Sequence, residues 1–170
     1  MLVIMEEREK KQEDNQKILE MYKRIAQQHN LPDFSFLNEN FEVELSEISE
    51  EDLIIRAVRK QIVEKISYHI RTLEAFLNPS NAPLFVMNML KGFGQAEQEV
   101  VKSLYDKLGD FEIDSFGLEI EYNEKKEIEF IKAVCDDWKS IVLDLYRIHG
   151  TMKKSANREA PKKNHKSYFG

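Results

Sequence analysis

Apolar residues along this chain recur mostly at helical spacing, and two segments carry the pattern most strongly. From about residue 49 to 77, Ile55, Val58, Ile62, Ile66, Ile70, Leu73, Phe76 and Leu77 fall on one broad face at 100° per residue. Ser49 stands where an N-cap belongs, with Asp52 three residues on as the acidic half of a capping box. Asn78-Pro79 stops the segment. From 124 to 149, Ile128, Ile131, Cys135, Trp138, Val142 and Leu145 alternate three and four apart. Phe130, Val134, Ile141 and Ile148 widen that stripe, as a bundle helix covered on two sides requires, and Gly150 predicts its end. Each helix is about 26 residues, or about 39 Å, long at 1.5 Å per residue. The predicted fold is mainly α, a helical bundle built on these two long helices packed antiparallel.

The remaining elements follow from weaker signals. Residues 6–17 carry no apolar side chain, and Glu6/Lys10, Glu7/Lys11 and Glu13/Lys17 are Glu-to-Lys pairs one turn apart. Each such pair supports a helix by about 0.2–0.5 kcal/mol without any packing. Ile18, Met21, Tyr22 and Ile25 then give that helix a docking stripe, and Asn30 and Pro32 end it. A short helix is expected from Pro83 to before Gly92, and another from Gln95 to Leu108, closed by Gly109. Lys91-Gly92-Phe93-Gly94-Gln95 reads as a helix stop and start, since it lacks the Gly-Lys-Ser/Thr ending and the preceding strand of a phosphate loop.

Two runs alternate with period two: Phe41 to Leu45, and Phe116, Leu118, Ile120 and Tyr122 with Glu119 and Glu121 between. Paired, they would form a small two-stranded β ribbon on the helices. Opposed carboxylates on its outer face would weaken it. The same pairing would gather Glu42, Glu44, Glu119 and Glu121 into an oxygen-only cation site, the best enzyme-like arrangement in the chain. Phe34 and Phe36 open an apolar loop before Phe41, expected as core plugs.

Charge changes the picture at one end. Residues 151–170 hold Lys153, Lys154, Arg158, Lys162, Lys163 and Lys166 against Glu159, a net of +5, while the chain of 170 residues as a whole is −6. Their Ser, Asn, Pro and Gly content, with no periodicity, predicts a flexible basic tail. Three parts are therefore expected: a charged helix extension at 1–17, a helical domain at 18–150 and the tail at 151–170. The lone Cys135 excludes an internal disulfide and suits a reducing cytoplasm. No apolar run approaches the roughly 18 residues of a membrane span, and Met1–Met5 is too short for the core of a signal peptide.

Candidate chemistry is sparse. There is no Cys pair, no HExxH and no Gly-x-Ser-x-Gly. His69 and His149 fall on apolar arcs, where a histidine is usually a satisfied core residue. Arg59 falls inside the apolar face of its helix, and the expectation is that it snorkels to solvent or pairs with a carboxylate of a neighbouring helix. Asp136-Asp137, Glu97, Glu99 and Asp106 read as solvated surface. No cofactor is implied. The expected function is non-enzymatic: a protein-interaction or assembly protein using its helical body and its tail, with another protein or a second copy of itself as partner. Lys153, Lys154, Arg158, Lys162, Lys163, Lys166, Tyr168 and Phe169 are the partner-binding candidates. The alternative is a nucleic-acid-associated accessory protein, in which the same tail binds phosphates and stacks bases on its aromatics.

Overall fold

The computed structural model describes residues 2–48 and 53–158, with the backbone alone at 2–10, 81, 157 and 158. Ser49 and Asp52, the expected cap, lie outside the described residues. Six α-helices follow one another: α1 Leu2–His29, α2 Phe34–Phe41, α3 Ile54–Leu77, α4 Leu84–Leu90, α5 Gln95–Ile120 and α6 Glu124–Arg158. Single 3-10 turns sit at Leu45–Glu47 and Pro79–Asn81. The chain is mainly helical, and no strand occurs among the described residues.

The expected ribbon does not form: Phe116–Ile120 is helical, and in the first run Phe41 ends a helix, 42–44 is irregular and Leu45 opens a 3-10 turn. Phe34, Phe36 and Phe41 belong to α2, capped by Asp33, whose carboxylate accepts from the Phe36 amide at 2.8 Å. Glu42 ends α2 in the left-handed conformation, φ 59°. Phe116, Leu118 and Ile120 lie in α5, which passes straight through Gly109. The physical reason is a seam that continues across the glycine: Val101, Leu104, Leu108, Phe111, Ser115 and Leu118, three and four apart, are all buried. Burial of Phe111 and Leu118 outweighs the roughly 0.5–1 kcal/mol cost of a mid-helix glycine. The same logic carries α6 through Gly150. Glu127, Ile131, Val134, Trp138, Ile141, Ile148 and Ser155 are buried on one stripe, so Thr151–Arg158 extends the helix instead of opening the tail.

The chain packs as two units, residues 1–70 with 106–139 and residues 71–105 with 140–170. In the first unit α3, α5 and α6 make a three-helix arrangement. Arg59, early in α3, meets Glu127, early in α6, and further along His69 stands beside Trp138 with ring centroids 6.0 Å apart. The two long helices therefore run in the same direction, not antiparallel as expected. The return stroke is α5: Arg59–Ser115 and Ser67–Glu112 set it against α3, and Phe111–Phe130 and Lys107–Asp137 set it against α6. The sequence pattern showed α5 as a short helix, and a short α5 could not have supplied that middle layer.

Around this core α1 docks through Ile18, Tyr22 and Ala26. The Tyr22 hydroxyl donates to the Pro32 carbonyl at 2.8 Å, and Phe34 packs edge-on against the Tyr22 ring. Phe41 is buried on Trp138 at 4.3 Å between centroids, with Phe36 edge-on behind it. Of the α2 aromatics Phe41 is thus a core plug, while Phe34 and Phe36 are half-buried against Tyr22 and Phe41. In α1, Lys17 meets Asp14 at 3.7 Å.

In the second unit the end of α3, α4, the start of α5 and the end of α6 bury Leu73, Phe76, Met89, Phe93, Ile141 and Ile148. Phe76 and Phe93 stack at 5.8 Å. Gly92 lies under Ser155: a Cβ there would fall 1.7 Å from the Ser155 hydroxyl oxygen. The expected helix stop and start is present, with α4 ending at Leu90 and the Gly94 amide donating to Glu97 at the head of α5.

Candidate functional site

The first place to look for chemistry is the buried charge between α3, α5 and α6. Arg59 and Glu127 are fully buried. The Arg59 Nε–H donates to Glu127 Oε2 at 2.5 Å and Nη1 donates to Ser115 Oγ at 2.6 Å. Nη2 reaches Glu119, whose other oxygen accepts from Arg56 at 3.0 Å and lies 3.8 Å from Lys60. Arg56 in turn lies 5.8 Å from the Tyr122 ring centroid. Of the two fates the sequence allows Arg59, snorkelling or pairing with a carboxylate, the structure shows pairing, and Glu127 is a partner the sequence reading does not name. The signal was there: Glu127 occupies the first position of the α6 seam continued by Ile131 and Val134.

The two carboxylates respond oppositely. Hydrogen bonding to Arg59 holds Glu119 below the ordinary carboxylate range. Burial pushes Glu127 above it, with Arg59 opposing that push. Glu127 Oε1 is buried without a hydrogen-bond partner, as is Arg56 Nε. A raised, buried carboxylate beside a cation resembles a general acid. Here, however, neither Arg59 nor Glu127 exposes an atom that a substrate could touch. The grooves of about 530 and 520 Å³ along α3 are lined by Glu42, Glu47, Arg56, Lys60, Gln61 and Lys65 among others, and not by the buried pair. The cluster ties three helices into one register.

The other candidates disperse. Glu42 pairs with Lys65, which lowers its pKa, Glu119 belongs to the arginine cluster, and Glu44 and Glu121 are exposed. The cation site that needed a ribbon is therefore not assembled, and among the described residues no group of three or more His, Cys, Asp or Glu side chains is placed to hold a metal. His69 is half-buried between Tyr68 and Trp138, and burial lowers its pKa. His149 is exposed, not on the buried arc. Cys135 is half-buried, and burial pushes its thiol up to about 12, so it is no nucleophile at neutral pH.

What stands out instead is exposed apolar surface, on α4 through Leu84, Phe85 and Met87, and as aligned stripes on α5 and α6. On α5, Ile113, Phe116 and Ile120 are 70%, 68% and 75% exposed. With Gly109 they are spaced four, three and four apart, the seam of a coiled-coil helix, on the opposite face from the buried seam. Asp110 and Asp114 flank one side; on the other, Glu112 accepts from Ser67 and Glu119 is already paired with Arg56 and Arg59. On α6, Leu143 and Tyr146 are 62% and 69% exposed, and Lys139, Gly150 and Lys153 continue their seam. Arg147, Lys153 and Lys154 are exposed along it.

Of the partner-binding residues expected from sequence, Lys153 and Lys154 lie on the helical extension of α6, and Arg158 ends it. Lys162, Lys163, Lys166, Tyr168 and Phe169 lie outside the described residues. Among the described residues no helix is long and apolar enough to cross a membrane. Comparison with protein families, curated proteins and solved structures gives no match.

Proposed function

We propose that this protein is a non-enzymatic interaction or assembly protein that works by offering helix faces, together with its basic C-terminal segment, to a protein partner. The observation that carries this reading is the α5 face: Ile113, Phe116 and Ile120 are more than two-thirds exposed and aligned at coiled-coil spacing. Large apolar side chains in a continuous stripe cost solubility unless a partner covers them. An acidic edge, Asp110 and Asp114, beside an apolar centre is the layout of a specific interface rather than of a sticky surface. The reading also suits the buried arginine cluster, which stiffens the scaffold that presents α5.

The test is stoichiometric capture of a partner from the source cell by the wild type, Phe116→Glu and a chain lacking 159–170. Loss of a defined partner with Phe116→Glu, at unchanged helical content, supports the reading. Capture that ignores Phe116, or no partner with any form, overturns it. Nucleic acid retained by the wild type and lost with 159–170 shifts the function to the accessory-protein alternative.

A further inference from the structure

We propose that the α5 face is covered by a second copy of this chain, which seats the outer face of its own α6, from Lys139 to Lys154, along Gly109–Ile120. This rests on the interaction reading and names its partner. Three independent features of the two faces match.

The first is shape. Both faces follow the alternating three-and-four spacing that lets helices interdigitate; the α5 stretch spans about three turns and the α6 stretch with its flanks about four, enough to cover it. Ile113, Phe116 and Ile120 supply knobs on one side, Leu143 and Tyr146 on the other.

The second is glycine. Gly109, Gly117 and Gly150 lie inside helices, where glycine costs stability. Among the described residues, and apart from the helix's own backbone and sequence neighbours, nothing comes within 4 Å of where their Cβ atoms would be, so packing within that part of the chain gives no reason for them. On these faces they leave room for another helix to approach closely.

The third is charge, and it decides which surface pairs with which. Two α5 faces together would oppose Asp110 and Asp114 with acids. Two α6 faces would oppose Arg147, Lys153 and Lys154 with bases. Only the crossed pairing sets acid rim against basic rim. The chain thus carries both halves of one complementary interface, and the occupant it fits is itself.

Sedimentation of the full chain at about 1 and 50 µM tests this. A species of at least twice the 20.1 kDa chain mass at the higher concentration is expected. Phe116→Glu and Tyr146→Glu should each weaken association at least about tenfold, as central aromatic anchors do, with circular dichroism unchanged. Asp110→Lys/Asp114→Lys and Lys153→Glu/Lys154→Glu should each weaken it, and mixing these two charge-reversed proteins should restore it. A strict monomer overturns the proposal, as does association indifferent to Lys153 and Lys154. A monomer that still captures a different protein through Phe116 removes the self-association and leaves the interaction reading standing.

Discussion

Helix α5 has two apolar faces, and they have opposite fates. Leu104, Leu108, Phe111, Ser115 and Leu118 are buried, while Ile113, Phe116 and Ile120 are open to water. Both stripes have helical spacing and similar residue types. Periodicity therefore says that a face is apolar, but not which molecule covers it. The inner face holds the fold, with each buried Leu or Phe contributing about 1.5–3 kcal/mol. The outer face contributes nothing comparable within one chain.

The strongest way to break that contrast is through the charge that the inner side encloses. Arg59→Met should destabilise the fold by about 3–5 kcal/mol in urea denaturation, because it strands the Glu127 carboxylate in the core. Arg59→Met/Glu127→Leu should recover most of that loss. Leu108→Ala should cost about 2–5 kcal/mol, whereas Phe116→Ala on the outer face should stay within about 0.5 kcal/mol of wild type, measured where the protein is dilute. The glycines sharpen the same comparison. Gly92→Ala drives a methyl into Ser155 and should cost about 1–3 kcal/mol. Gly117→Ala meets nothing and should stabilise the dilute protein by about 0.5–1 kcal/mol, while weakening association.

The smallest effect is a pH dependence at His69, on a helix that packs against the inner face. Burial and Lys65 lower its pKa below 6.5, with Glu42 opposing. A lowered histidine pKa means that the unfolded chain takes the proton first. The stability it contributes is complete above pH 6.5 and is lost as pH falls through the lowered value. His69→Gln should flatten melting temperature against pH over that window, and an unchanged slope would show that His69 does not titrate differently on folding.

Much of the fold was legible where one stripe dominates. The face of α3, the stop at Leu77, α4 and the start of α5 all follow from local pattern and from Asn, Pro and Gly chemistry. For Arg59 the pattern allows a snorkelling cation or a paired one, and its burial decides for the pair. The misreadings have a common cause. Phe116 and Ile120 looked like alternate positions of a strand because they face outward while Leu118 faces inward, and on a helix that already has an inner seam this mimics period two. Gly109 and Gly150 looked like helix ends because the seams that continue beyond them, through Ser115 and Ser155, include small polar residues. Of the candidate site, Lys153 and Lys154 were picked out as partner-binding residues, but as tail, and Ile113 was not seen.

By itself the sequence determined that the chain is helical, where its strongest apolar face lies, that one end is basic and that Arg59 needs either solvent or a counter-charge. These are local matters, decided by spacing, propensity and the cost of an unpaired charge. Only the tertiary structure decided that α3 and α6 run in the same direction, that α5 is long enough to lie against both, and that Glu127 is the counter-charge. It alone also separated the two apolar faces of α5. Direction, partner choice and coverage depend on which stripes meet across long stretches of chain, and burial of a continuous seam outweighs the glycine that, read locally, would have ended the helix.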